Sequence, residues 1–139
     1  MVEQALAQRG LKPGLARAIT AQMALETGYG RSTAGGNNMA GIKAHGGWQG
    51  PVVEKPTTEF VDGRPVMVPQ RFRAYDNWQQ GVEDYVNFIL SQPRYARAGA
   101  LDARTPADYF ASLQRAGYAT DPAYADKLGS VYQRLFAPA

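Results

Sequence analysis

The sequence predicts an α+β fold, mainly helical, with one small β-hairpin lobe. Three observations predict it. Helical periodicity occupies both ends of the chain, whereas the middle, Thr27 to Tyr75, carries most of the glycines and prolines. One stretch of that middle alternates around an Asp-Gly turn. No internal repeat or low-complexity linker divides the chain, and 139 residues suit a single domain over 1–139 with a substantial core.

The elements follow in order. A short helix is expected near Val2 to Gln8, then a turn at "RGLKPG", then a helix from about Leu15 to Glu26. "TTEFVDGRPVMVPQRFRAY" predicts the hairpin, with Asp62–Gly63 as its turn. In "DNWQQGVEDYVNFIL", Asp76 is the expected N-cap with Gln79 three residues on. There Trp78, Val82, Tyr85, Val86 and Ile89 keep helical spacing, which marks Trp78 as a core residue. "TPADYFASLQRAG" opens with Thr105 as cap and Pro106 at the first helical position, and closes on Gly117. "DPAYADKLGSVYQRLF" repeats the device with Asp121 and Pro122.

Composition removes several chemistries. With no cysteine there is no disulfide, thiol nucleophile or zinc–thiolate site. The single histidine, His45, argues against a His-based triad or a multi-histidine metal centre and is expected to be a non-catalytic loop residue. No metal or cofactor is therefore expected. No run approaches the roughly 20 apolar residues of a membrane span, and "MVEQALAQRG" has neither the basic nor the apolar part of a secretory signal. The expectation is export by other means or a domain excised from a longer chain. A net charge of +3 suits an anionic polymer, but no Lys/Arg run suggests nucleic acid.

Glu26 is the residue that a purely structural reading leaves awkward. At about 100° per residue, with Leu15 as zero, Ile19 lies near +40°, Gln22 near −20° and Glu26 near +20°. Glu26 thus projects from the apolar face in the last turn of its helix. The C-terminal end of the helix dipole disfavours a negative charge there, and apolar neighbours raise a carboxyl pKa. Both effects favour the protonated acid that general-acid catalysis needs. The glycines that follow let the chain turn sharply beside a ligand. The competing reading is a helix-end glutamate paired with Arg31 or Lys43.

"ALETGYGRS", "NNMAGIKA", "GWQG", "TTEF", "RFRAYDNWQQGVEDYVNFI" and "LQRAGYATDPAYADKL" occur in that order. Together, over roughly Ala21 to Leu128, they resemble the peptidoglycan β-N-acetylglucosaminidases, typified by the wall-hydrolysing domain of the flagellar rod-assembly protein and by bacterial autolysins. The resemblance implies a lysozyme-like fold with a β-lobe beside a substrate cleft. It implies hydrolysis of the β-1,4 bond between N-acetylglucosamine and N-acetylmuramic acid, with glycan strands as partner and a monomer acting on the wall. It places Glu26 as general acid, Glu59 as a second carboxylate that activates water or supports a glycosyl intermediate, and Tyr118 near the catalytic centre. There Tyr118 would hold the N-acetyl group or stabilise developing positive charge. Tyr29 stands where many relatives carry tryptophan, and Ala40 replaces a bulkier residue, which would reshape a subsite.

Other residues have both a functional and a plain reading. Glu59 on a strand is by default a solvent-facing residue. Two-carboxylate hydrolysis would need separations of about 5–5.5 Å for retention or about 6.5–9.5 Å for inversion, and a substrate-assisted route would dispense with Glu59 as nucleophile. Asn37 and Asn38 fit turn chemistry, with Asn38 also a candidate substrate contact. Lys43 would neutralise a carboxylate or touch a stem peptide, against the plainer reading of a solvated lysine. Trp48, among glycines, would stack on a sugar face or serve as a core tryptophan, and Tyr75 and Tyr124 would line the cleft or pack in the core. Competing functions are a muramidase or lytic transglycosylase of the same fold, and a non-catalytic wall-binding scaffold module.

Overall fold

The computed structural model describes residues 2–29, 36–44 and 47–136. Six α-helices and one hairpin make up the regular elements among them: α1 Val2–Gln8, α2 Pro13–Thr27, β1 Val52–Val61, β2 Arg64–Arg73, α3 Trp78–Ser91, α4 Pro93–Arg97, α5 Pro106–Ala116 and α6 Tyr124–Phe136. A 3-10 turn, Ala100–Asp102, follows α4. The short α4 and this turn have too few periodic residues to be read from pattern.

The helices enclose one apolar cluster. α2 lies at its centre, packed against α1, α5 and α6, and contributes Ala18, Ile19 and Met23. Leu6 of α1, Tyr85 and Ile89 of α3, Leu113 of α5 and Leu128 of α6 close around it. Pro13 starts α2 where a missing N–H costs nothing. Gly28, left-handed at φ 57°, ends it, and the Tyr29 N–H bonds back to Ala24 O at 2.7 Å.

The hairpin is longer than its sequence pattern suggested, because β1 begins at Val52 rather than Thr57. Its turn is the expected one: Asp62 (φ 51°) and Gly63 (φ 78°) both take the left-handed conformation of a two-residue turn, with Val61 paired to Arg64. Pro56, Pro65 and Pro69 remove donors from the two open edges, which discourages pairing with another chain. The base of the hairpin is anchored by Lys43 pairing with Phe72, by Arg73 N–H to Ile42 O (3.0 Å) and by Ala74 N–H to Pro51 O (2.9 Å). Arg73, nearly buried, also bonds Lys43 O (3.2 Å) and pairs with Asp84 of α3 at 3.0 Å.

Two helix starts differ from expectation. Asn77, not Asp76, caps α3: its side chain accepts the Gln80 N–H at 2.9 Å while Gln80 Oε1 accepts the Asp76 N–H at 3.1 Å. The expected Asp76–Gln79 box is thus replaced by the Asn77 cap, with Gln80 reaching back to the residue before it. Near α6, Asp121 accepts the Ala123 N–H (2.8 Å) in a turn, and the helix starts only at Tyr124. Thr105, Pro106 and Gly117 bound α5 as the pattern predicted, with Thr105 Oγ1 accepting the Asp108 N–H at 3.1 Å.

Candidate active site

A cleft of about 600 Å³ lies between the end of α2, the hairpin and the segment leading into α6. Glu26, Gly41, Lys43, Glu59, Tyr118 and Tyr124 are among its walls. Four stretches far apart in sequence supply them, so only the folded chain has this site.

Glu26 reaches the cleft because it ends the buried stripe of α2, as its helical angle required. Its side chain is half-buried, and Tyr124 Oη donates a hydrogen bond to Oε1 at 2.9 Å. Its other oxygen lies against Gly41: a Cβ at that glycine would stand 2.7 Å from Oε2. Burial pushes the carboxyl from its ordinary value near 4.5 up to about 7. The Tyr124 bond opposes that rise, the charge of Glu59 adds to it and Lys43 subtracts from it. The ion pair of Glu26 with Lys43, the competing plain reading, is not formed. Lys43 Nζ instead meets Glu59 Oε1 at 3.0 Å, and Arg31 lies outside the described residues.

Glu59 faces the cleft rather than open solvent. Besides Lys43, Thr120 Oγ1 donates to its Oε1 at 2.9 Å, and the same Thr120 oxygen accepts the Phe60 N–H at 2.9 Å. Thr120 therefore clasps the hairpin to the segment before α6. The twist of β1 brings Lys55, Thr57 and Glu59, one alternating face, to the cleft side.

Tyr118 lines the cleft with its ring, stacked on Tyr124 with centroids 6.0 Å apart and planes 11° from parallel. Its O–H is engaged, donating to Ala40 O at 2.7 Å. The hydrogen of that hydroxyl is therefore already committed, and it is the ring that Tyr118 presents to the cleft. Burial raises the pKa values of both tyrosines well above the ordinary phenol, which keeps them neutral donors.

The other sequence candidates divide. Lys43 is in the cleft. Asn38 is not: 1% exposed, it donates to Ile42 O and Arg73 O, both at 2.9 Å, and accepts from the Ile42 N–H. It clamps the 38–42 loop onto β2 and has no face left for a sugar. Trp48 and Tyr75 meet edge to face, 5.8 Å apart, at a separate shallow depression over α3. The Arg73 guanidinium covers the indole at 4.8 Å, Gly50 packs against its benzo ring, and Nε1 donates to Pro51 O. Trp48 thus secures its loop and borders this depression rather than the cleft that holds Glu26. The Tyr75 hydroxyl donates to Asp84. Tyr29, left-handed at φ 61°, is exposed just beyond the cleft residue Gly28 and does not line the cleft. Ala40 is buried in the core, and its carbonyl oxygen accepts the hydroxyl of the cleft residue Tyr118. Asn37 bonds Tyr75 O in a left-handed turn, as turn chemistry predicts, and His45 lies outside the described residues.

Sequence reasoning left Tyr124 undecided and missed Gly41 and Thr120. Signals existed in the adjacency of Tyr124 and Thr120 to Tyr118, and in a glycine just before Lys43. Among the described residues, no group of three or more His, Cys, Asp or Glu side chains gathers to hold a metal.

Known proteins resemble this chain in sequence and shape. The family model described as Glucosaminidase, mannosyl-glycoprotein endo-beta-N-acetylglucosaminidase, matches residues 2–136. Peptidoglycan hydrolase FlgJ of Vibrio parahaemolyticus is 42% identical over 96% of this chain and 44% of its own length. The chain therefore spans less than half of that relative. A solved peptidoglycan hydrolase mutant from Sphingomonas sp. A1 superposes with a TM-score of 0.74 at 40% identity, covering 84% of this chain and 78% of that one. The C-terminally truncated glycoside hydrolase domain of Salmonella typhimurium FlgJ gives 0.69 at 38% identity, covering 99% and 92%. A match across nearly every residue, carried by relatives at this identity, makes the chain a member of the glucosaminidase family.

Proposed function

We propose that this chain is a glycoside hydrolase unit that cleaves peptidoglycan at the β-1,4 bond between N-acetylglucosamine and N-acetylmuramic acid. The observation that carries the reading is a glutamic acid whose pKa is raised to about 7 at the edge of a cleft, fixed by a tyrosine and faced by a second carboxylate. Glu26 gives its proton to the glycosidic oxygen as the bond to the anomeric carbon breaks. Glu59, across the cleft, presents negative charge to the positive charge developing on the sugar and to the water that replaces the leaving group. Lys43 and Thr120 hold Glu59 in place, and the Tyr118 ring forms an apolar wall against the sugar.

The substrate reading is supported by the relatives, which are peptidoglycan hydrolases by name, and by a net charge of +3 that suits an anionic wall polymer. The unit acts on glycan strands in the wall as a monomer. No described helix is long and apolar enough to cross a membrane.

The test is mass spectrometry of muropeptides released from purified sacculi. New reducing ends on N-acetylglucosamine are expected; 1,6-anhydro-muramic ends would assign the chain to lytic transglycosylases instead. Glu26→Gln should lower turnover at least ~10³-fold while sacculus binding persists, because the amide cannot donate an acid proton. Turnover unchanged in that variant would remove Glu26 as the acid.

A further inference from the structure

The acid's hydrogen-bond partner is itself held by a chain of side chains running inward. Gln22 lies one helical turn before Glu26 on the same face of α2 and is fully buried. Its Nε2 donates to Tyr124 Oη at 3.1 Å, and its Oε1 accepts the hydroxyl of Tyr85. Tyr85 Oη in turn lies 2.6 Å from Tyr109 Oη. Gln22, Tyr85, Tyr109 and Tyr124 are each no more than 4% exposed, so water does not complete their bonding.

These bonds have a direction. An amide has donors only on nitrogen and acceptors only on oxygen. Tyr85 donating to Oε1 fixes which way the Gln22 amide points, so that its N–H group faces Tyr124. The Tyr124 oxygen then accepts from Gln22, and its one hydrogen is directed at Glu26 Oε1. With Oε1 committed as an acceptor, the carboxylic proton resides on Oε2, the oxygen that lies against Gly41 at the cleft.

We infer that Gln22 is a positioning residue for the general acid: through Tyr124 it assigns the transferable proton to Glu26 Oε2 and aims it into the cleft. This rests on Glu26 being the acid, as proposed above. A buried glutamine in a helix core would otherwise be a poor choice, since a leucine or methionine fills that volume without needing partners. The groups facing Glu26 from the other elements, Glu59, Lys43 and Tyr118, do not bond Oε1 and leave the relay as its anchor.

The experiment compares pH profiles of kcat for wild type, Gln22→Met, Tyr124→Phe and their double variant on soluble glycan fragments, with Glu26→Gln as the control. Gln22→Met should lower kcat roughly tenfold, on the scale of one hydrogen bond to a charged group, with KM within about twofold. Its alkaline limb should move to higher pH, because the Glu26 anion loses stabilisation. Tyr124→Phe should do the same to a greater extent, and the double variant should match Tyr124→Phe alone, because Gln22 acts only through that hydroxyl. Tyr85→Phe, which frees the amide to flip and draw the Tyr124 hydrogen away, should shift the limb in the same direction; it also tests the relay if Gln22→Met does not fold. A wild-type limb in folded Gln22→Met or in Tyr85→Phe, or fully additive effects in the double variant, would overturn the inference. If Glu26→Gln were instead fully active, the failure would belong to the acid assignment and not to the relay.

Discussion

Two carboxylates face one cleft from opposite kinds of support. Glu26 ends a helix packed against three others, and its anchors are neutral: Tyr124 and, behind it, Gln22 and Tyr85. Glu59 stands on a two-stranded sheet anchored at its base, and its partners are an ammonium and a hydroxyl, Lys43 and Thr120. A dry site with neutral donors tolerates a proton, whereas Glu59 is engaged directly by a cation. The same residue type thus acquires two roles, with no difference in side-chain chemistry.

The largest expected consequence of this difference is on stability. Glu26 has a pKa of about 7 in the folded protein and near 4.5 in its absence, so the folded state binds this proton more tightly than the unfolded chain. The stability it contributes is fully present below pH 4.5 and is lost as pH rises through 7. The loss should be on the order of 2–3 kcal/mol. Thermal melts from pH 4 to 8 should therefore show Glu26→Gln losing less stability than wild type, with its relative advantage growing as pH rises. Parallel curves would mean that the carboxyl is better hydrated than its surroundings indicate, and the contrast with Glu59 would break.

How much of this contrast is legible in the sequence depends on the range of the interaction. The position of Glu26 follows from helical angle alone, because Leu15, Ile19, Gln22 and Glu26 share one face. The hairpin follows from alternation around Asp62–Gly63, and Glu59 and Tyr118 follow from the order of the resembling blocks. Tyr124 bonds Glu26 across 98 positions, and Thr120 bonds Glu59 across 61. No local pattern encodes such pairings: the neighbourhood of Tyr118 pointed towards both residues, but not to the carboxylate that each would bond. Asn38 and Trp48 misled for the same reason: an amide and an indole in a glycine-rich loop look available for a ligand until the folded chain supplies Ile42, Arg73 and Pro51 as their partners.

A smaller effect tests how closely the acid is confined. Gly41, at φ 68°, brings backbone against Glu26, and the Cβ of an alanine there would lie 2.7 Å from Oε2. Because Oε1 is tied to Tyr124, the carboxyl cannot swing aside without losing that bond. Gly41→Ala should lower kcat roughly tenfold, and the left-handed backbone adds about 1–2 kcal/mol of destabilisation. Gly10→Ala separates the two causes. Gly10 is also left-handed, at φ 86°, but has open space around its Cβ position, so the variant should lose stability and keep its activity. Equal activity in the two variants would show that the acid does not depend on the glycine's missing side chain.

The smallest effect concerns the other support. Thr120 makes both of its bonds with one oxygen, accepting from the Phe60 amide and donating to Glu59. Thr120→Val keeps the shape and removes both. Lys43 still holds Glu59, so kcat should fall only about threefold, whereas the Phe60 amide, opposite Pro65 and bonded to Thr120, should exchange with solvent much faster. Thr120→Ser, which retains the hydroxyl, should restore both measurements. Hydrogen exchange followed with kinetics therefore reads the clasp at both its ends. If Thr120→Val accelerates exchange at Phe60 and leaves kcat untouched, the clasp holds the hairpin without orienting its carboxylate, and the Lys43 ion pair alone sets the position of Glu59.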